Sequence, residues 1–162
     1  MENSIGEMKL RDVDFWGLSR CPGGKFPDGG HIPPHIQGYF LVCRRPLFLS
    51  QAWKQFWEEL PYPETFREAV ENFEIRFSTY FLQCGFMAGA YTDPLHTPYG
   101  GNPYVDHLWE LIRSRRMPVI KRKAFLLCGH EQIQKTLDYI GQNTEYDIRV
   151  MYDHLCRLQE EG

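Results

Sequence analysis

Two periodicities alternate along the chain. Asp12 to Leu18 reads as a short strand running into a loop, and His35 to Arg44 as a strand dense in aromatic and branched residues. The second strand opens unusually. In His35-Ile36-Gln37-Gly38-Tyr39-Phe40-Leu41-Val42, a His and a Gln, both costly to bury, lead an apolar run. Residues 19–34 before it are rich in Gly and Pro, a composition that predicts a mobile or ligand-shaped loop. A strand that leaves such a loop with polar groups at its head suits a pocket better than a scaffold.

Helical spacing takes over at Ser50, an N-cap, with Ala52, Trp53, Phe56, Trp57 and Leu60 on one apolar face. Pro61-Tyr62-Pro63 ends that helix. A second helical region runs from near Glu64 to Cys84, with Gly85 placed for a left-handed cap. Phe86 to Tyr91 is a brief strand, Thr92 to Pro103 a second Gly/Pro-rich loop, and Val105 to Arg113 a helix burying Leu108, Leu111 and Ile112. Two more helices, near Glu131–Ile140 and Asp147–Gln159, close the chain. The order predicts an α/β fold, with α+β as the alternative: one domain over 1–162 with a small sheet and a helical C-terminal tail. Three strands make a thin sheet, expected to belong to a larger one.

Composition narrows the function classes. A chain of 162 residues fits one domain with a real core, and 43% hydrophobic with 15% aromatic residues fits packed sheet and groove surfaces. A net charge of −3 disfavours nucleic acid as the main partner. Arg113-Ser114-Arg115-Arg116 and Lys121-Arg122-Lys123 are local exceptions. Five cysteines without a CxxC pair predict reduced thiols in a cytosolic setting rather than a disulfide framework or zinc ribbon. No window approaches about 18 uninterrupted apolar residues, so no membrane-spanning segment is expected.

Several constellations carry chemistry. Asp12-Val13-Asp14 invites a metal reading, but the solvated start of a strand is the favoured one. His31, His35 and His96 lack the spacing of a closed metal site, and no metal site is expected. His35, at a strand entrance, is either a ligand contact or a structural hydrogen bonder. Glu74 borders an aromatic helix face formed by Phe73, Phe77, Tyr80 and Phe81, where a carboxylate serves as a general base or pairs with an arginine. Cys43 and Cys84 lack an evident base and read as small core residues. Lys121, with Arg122 and Lys123, meets a phosphate or simply solubilises its segment.

With these residues in view, the chain resembles the rhamnan synthesis protein F family of bacterial polysaccharide glycosyltransferases. The landmarks are Asp14-Phe15-Trp16-Gly17-Leu18, His35 to Leu41, Phe56-Trp57, Phe73-Glu74-Ile75 through Gly85-Phe86, Pro118 to Lys123, and Tyr146-Asp147. The resemblance implies a GT-A-like fold that transfers a sugar from a nucleotide-sugar donor, with dTDP-rhamnose the candidate, to a cell-surface glycan acceptor. It implies Glu74 as the catalytic base and Trp16, His35, Gln37, Tyr39 and Lys121 as substrate-binding residues. The family's Gln-Ser-Tyr is Gln37-Gly38-Tyr39 here. Its nucleotide-binding half precedes the Asp-Phe-Trp-Gly segment, where this chain has about a dozen residues. The donor-binding half is therefore expected to be missing, with a divalent metal left open for the full-length enzyme. A donor-domain partner, or a second copy, is expected to complete the sheet. The expected location is cytoplasmic, extending to the inner face of the membrane. The alternative function is a non-catalytic carbohydrate-binding or assembly module.

Overall fold

The computed structural model describes residues 2–93, 104, 107–115 and 117–160. The chain divides into two compact units, Met1–Pro98 and Tyr99–Gly162. In the first unit, helix α1 (Glu2–Lys9) leads to strand β1 (Phe15–Cys21). A two-residue hairpin, β2 (Gly24–Lys25) with β3 (His31–Ile32), interrupts the expected loop. Its turn is closed by the Phe26 amide donating to the Gly30 carbonyl at 2.7 Å. Gly29 supplies the positive φ of 92° that the turn requires.

The expected strand His35–Arg44 is in fact two short strands, β4 (His35–Ile36) and β5 (Leu41–Cys43). Both pair antiparallel with β1, but in different registers. Gly17 faces Leu41 and Arg20 faces Ile36, so three steps along β1 correspond to five along the other segment. The surplus is the turn at residues 37–40, a wide bulge that re-aims its side chains. Packing enforces it at Gly17, whose missing Cβ would stand against the Ile36 side chain and 2.9 Å from the Phe40 carbonyl.

Helix α2 (Arg45–Phe48) follows, then α3 (Gln51–Glu58), capped as expected by the Ser50 hydroxyl accepting from the Trp53 amide at 3.0 Å. The second helical region begins at α4 (Phe66–Ala69) with a full capping box between Thr65 and Glu68. It passes through a π-helical turn at Val70–Ile75 and continues as α5 (Arg76–Gln83). Gly85, at φ 88°, closes it in the left-handed conformation. Strand β6 (Ala88–Thr92) then pairs parallel with β1 over Phe15–Ser19, on the edge opposite β5. Parallel strands joined through helices, with an antiparallel neighbour, make this a small mixed sheet of the α/β class.

The helices bury one face of that sheet. Phe15, Ile36, Leu47, Phe56, Phe77, Phe81 and Ala90 form the core. Its aromatic rings meet mostly edge to face, as at Phe15–Phe77 (5.6 Å) and Phe77–Phe81 (4.8 Å), the arrangement their quadrupoles favour.

The second unit is helical: α6 (Leu108–Arg115), α7 (Arg122–Leu127), α8 (His130–Asn143) and α9 (Arg149–Glu160). Leu108, Leu111 and Ile112 are buried as their spacing predicts, and Trp109 meets Tyr139 of α8 edge to face at 5.4 Å. Helix α7 was not expected: Pro118 and the basic run 121–123 mask a short apolar stretch that buries Ala124. Among the described residues no helix is long and apolar enough to cross a membrane.

Candidate functional site

The bulge at 37–40 gathers polar groups. Ser19 lies on the same face of β1 as Phe15 and Gly17, by the two-residue period of a strand, and is 1% exposed. Its hydroxyl donates to Gln37 Oε1 at 2.7 Å and lies 2.9 Å from the Tyr39 hydroxyl. A hydroxyl carries one hydrogen, so with that hydrogen on Gln37 the Tyr39 phenol is the donor to Ser19. One buried serine thus fixes both side chains of the bulge.

On the other side of the bulge stands the π-helical turn. A π turn widens the helix by one residue and shifts the side chains that follow it, and such turns recur at functional sites. Here it carries Phe73 and Glu74 against Gly38. A Cβ at position 38 would lie 3.0 Å from Glu74 Cγ, 3.1 Å from Glu74 Oε1 and 3.1 Å from the Phe73 ring. The glycine therefore lets the carboxylate approach the backbone of the bulge closely. Glu74 Oε2 lies 3.6 Å from His35 Nε2, and the other ring nitrogen, Nδ1, lies 2.8 Å from the Pro33 carbonyl. The Ile36 amide donates to the buried Ser78 hydroxyl of α5 at 2.9 Å, tying β4 to the helix next to Glu74.

Glu74 also lines a groove of about 360 Å³ with Leu60, Pro61, Pro63, Phe66 and Phe73. The groove is mostly apolar, with Asn72 and Glu74 as its polar side chains. Phe66 and Tyr62, at 84% and 91% exposed, put aromatic surface next to it in reach of solvent.

His35 and Glu74 thus meet on one side of the bulge, and Gln37 and Tyr39 share Ser19 on the other. Trp16 does not share this surface: it is 3% exposed, with its ring packed on Phe40 at 5.6 Å, and serves as interior packing behind the bulge. Lys121 belongs to the second unit, where it precedes α7 and its ammonium sits 5.0 Å over the Tyr104 ring, a cation–π contact. Asp14 is structural, its Oδ2 accepting the Met87 amide at 2.8 Å to seat the start of β6, and Asp12 is exposed. Among the described residues no group of three or more His, Cys, Asp or Glu converges as metal ligands. His31 lies in the hairpin, and His96 lies outside the described residues. Cys43 packs against the core, where burial pushes its thiol up to about 11. Cys84, expected in the core, is exposed because it ends α5 beyond the last buried turn.

Sequence reasoning missed Ser19, Ser78 and the π turn. Ser19 was accessible in principle through its two-residue spacing from Phe15 and Gly17; the other two depend on tertiary contacts. No match was found among curated proteins or among solved structures. The family model for rhamnan synthesis protein F matches residues 1–161. The chain belongs to the rhamnan synthesis protein F family, which ties it to polysaccharide biosynthesis.

Proposed function

We propose that this chain is the acceptor-side part of a GT-A-like glycosyltransferase of rhamnan synthesis, with Glu74 as its general base. The observation that carries this is the seat of Glu74: a carboxylate brought by a π turn to a glycine bulge, at the wall of an aromatic-edged groove. Sugars lay their C–H faces on aromatic rings and bond their hydroxyls to polar side chains, and the groove's aromatics and the bulge's Gln37 and Tyr39 supply both kinds of contact. In the reaction, Glu74 takes the proton of an acceptor hydroxyl. The freed oxygen pair bonds the anomeric carbon of the donor, and the bond from that carbon to the diphosphate oxygen breaks with its electrons on the leaving group. The protein's share is placement of the hydroxyl against a fixed base.

Titrating the isotope-labelled chain with a rhamnose oligosaccharide tests the binding half of this reading. Amide shifts concentrated at Gln37–Tyr39 and Val70–Glu74 are expected. A folded protein whose spectrum ignores the oligosaccharide would rule the acceptor site out.

A further inference from the structure

Residues 22–34 leave the sheet and return to it at one point, since Cys21 and His35 are partners across β1 and β4. Between them the β2–β3 hairpin stands on two stems, Pro22-Gly23-Gly24 and Pro33-Pro34. Gly23 and Gly24 have positive φ, 94° and 155°, a joint that glycine takes without strain. Residues of this kind, at the ends of an element, are where a moving segment takes up its backbone change.

The far end of the hairpin is gripped by Arg67 of α4. The guanidinium pairs with the Asp28 carboxylate and lies 4.6 Å over the Phe26 ring, while its Nε pairs with Glu71 at 2.9 Å. Asp28 is set by the turn itself, its Oδ1 accepting the Gly30 amide at 3.2 Å. Gly30 leaves room for the grip, because a Cβ there would stand 2.6 Å from Arg67 Nη2. Arg67, Glu71 and Glu74 follow at helical spacing along one face, and Phe66, Val70 and Phe73 of the groove along the next. Hinged at His35 and gripped at Arg67, the hairpin runs along the flank of the helix that carries Glu74. The chemistry of the grip makes it reversible. Arg67 is 42% exposed and Asp28 57%, so water competes for both charges and salt screens them.

We propose that the hairpin is a strap over the Glu74 flank of the groove, latched by Arg67, and that an acceptor glycan draws it shut. Arg67 is then a positioning residue. The glycan's part rests on the groove being an acceptor site; the latch itself needs no sugar.

The test is amide hydrogen exchange in the full chain, read at Phe26 and Gly29, whose amides donate to the Gly30 and Phe26 carbonyls at 2.7 and 2.9 Å. Arg67→Met keeps much of the stem and loses the charge. Both amides should then exchange about tenfold faster, while the Gln37 amide, bonded to the Ser19 carbonyl of β1, keeps its rate. Arg67→Lys should fall between, since an ammonium pairs with Asp28 without the flat fork. Raising sodium chloride from about 50 mM to about 500 mM should speed hairpin exchange in wild type and leave Arg67→Met unchanged. A rhamnose oligosaccharide should slow it in wild type and less in Arg67→Met. Hairpin rates that ignore both Arg67→Met and salt overturn the latch. Acceleration shared equally with Gln37 also overturns it, because that marks a global loss of stability. If the oligosaccharide shifts the Gln37–Tyr39 amides and hairpin exchange stays as it was, the strap's closure is overturned and the acceptor site stands. If the hairpin depends on Arg67 and no oligosaccharide binds, the latch stands and the acceptor site falls.

Discussion

Position 38 shows how one missing side chain sets the geometry of the site. A serine there would stand against Glu74 and Phe73, since a Cβ already meets them at 3.0–3.1 Å. These are side-chain atoms, and Glu74 is partly exposed, so the carboxylate is what gives way. Gly38→Ala should cost about 1 kcal/mol by overpacking, read from the urea midpoint, and move the Glu74 side-chain carboxyl resonance. An unchanged midpoint with an unmoved carboxyl would show that Gly38 does not set the approach. Ser19 makes the complementary point on the other side of the bulge, where one buried hydroxyl orients both Gln37 and Tyr39.

At the scale of elements, the continuous helical region from α4 to α5 holds the site, and its aromatic face is the anchor. Phe77 is 2% exposed and meets Phe15, Phe56 and Phe81 within 5.6 Å. Phe77→Ala should therefore destabilise the protein by about 3–5 kcal/mol in chemical denaturation. A loss below about 1 kcal/mol would mean that this cluster does not hold the helix on the sheet. The helical spacing of Phe73, Phe77, Tyr80 and Phe81, the Ser50 cap and the Gly85 stop were all legible in the sequence, because each is a local signal. The polar residues at the head of the second strand were legible as an anomaly, and Glu74 as a carboxylate beside an aromatic face. The break in that strand was not legible. Gly38 reads as an ordinary strand glycine until Gly17, Ile36 and Phe40 are brought together by β1 pairing. The π turn was hidden for the same reason, since its residues keep helical spacing and only the approach of the bulge distinguishes them. Trp16 is buried against Phe40, a placement the sequence does not distinguish from one facing a pocket.

The whole molecule couples this site to a sheet whose stability has a pH signature. Burial raises the Cys43 thiol from 9.0 to about 11, so the unfolded chain ionises there first. The folded state then binds more protons than the unfolded one between those values, and its stability falls as pH rises through them. The urea midpoint of wild type should drop more steeply from pH 9 to pH 11 than that of Cys43→Val, and parallel slopes would contradict the assignment. Membership of the rhamnan synthesis protein F family and the α/β unit of the first 98 residues set the frame for the proposed base, Glu74. Its role as base is tested most directly by transfer from a nucleotide-rhamnose to a rhamnan oligosaccharide, comparing wild type with Glu74→Gln. Glutamine keeps the shape and removes the basic oxygen, so the rate should fall by about 10²–10⁴-fold while oligosaccharide binding persists. A Glu74→Gln protein that transfers sugar at the wild-type rate would contradict the account.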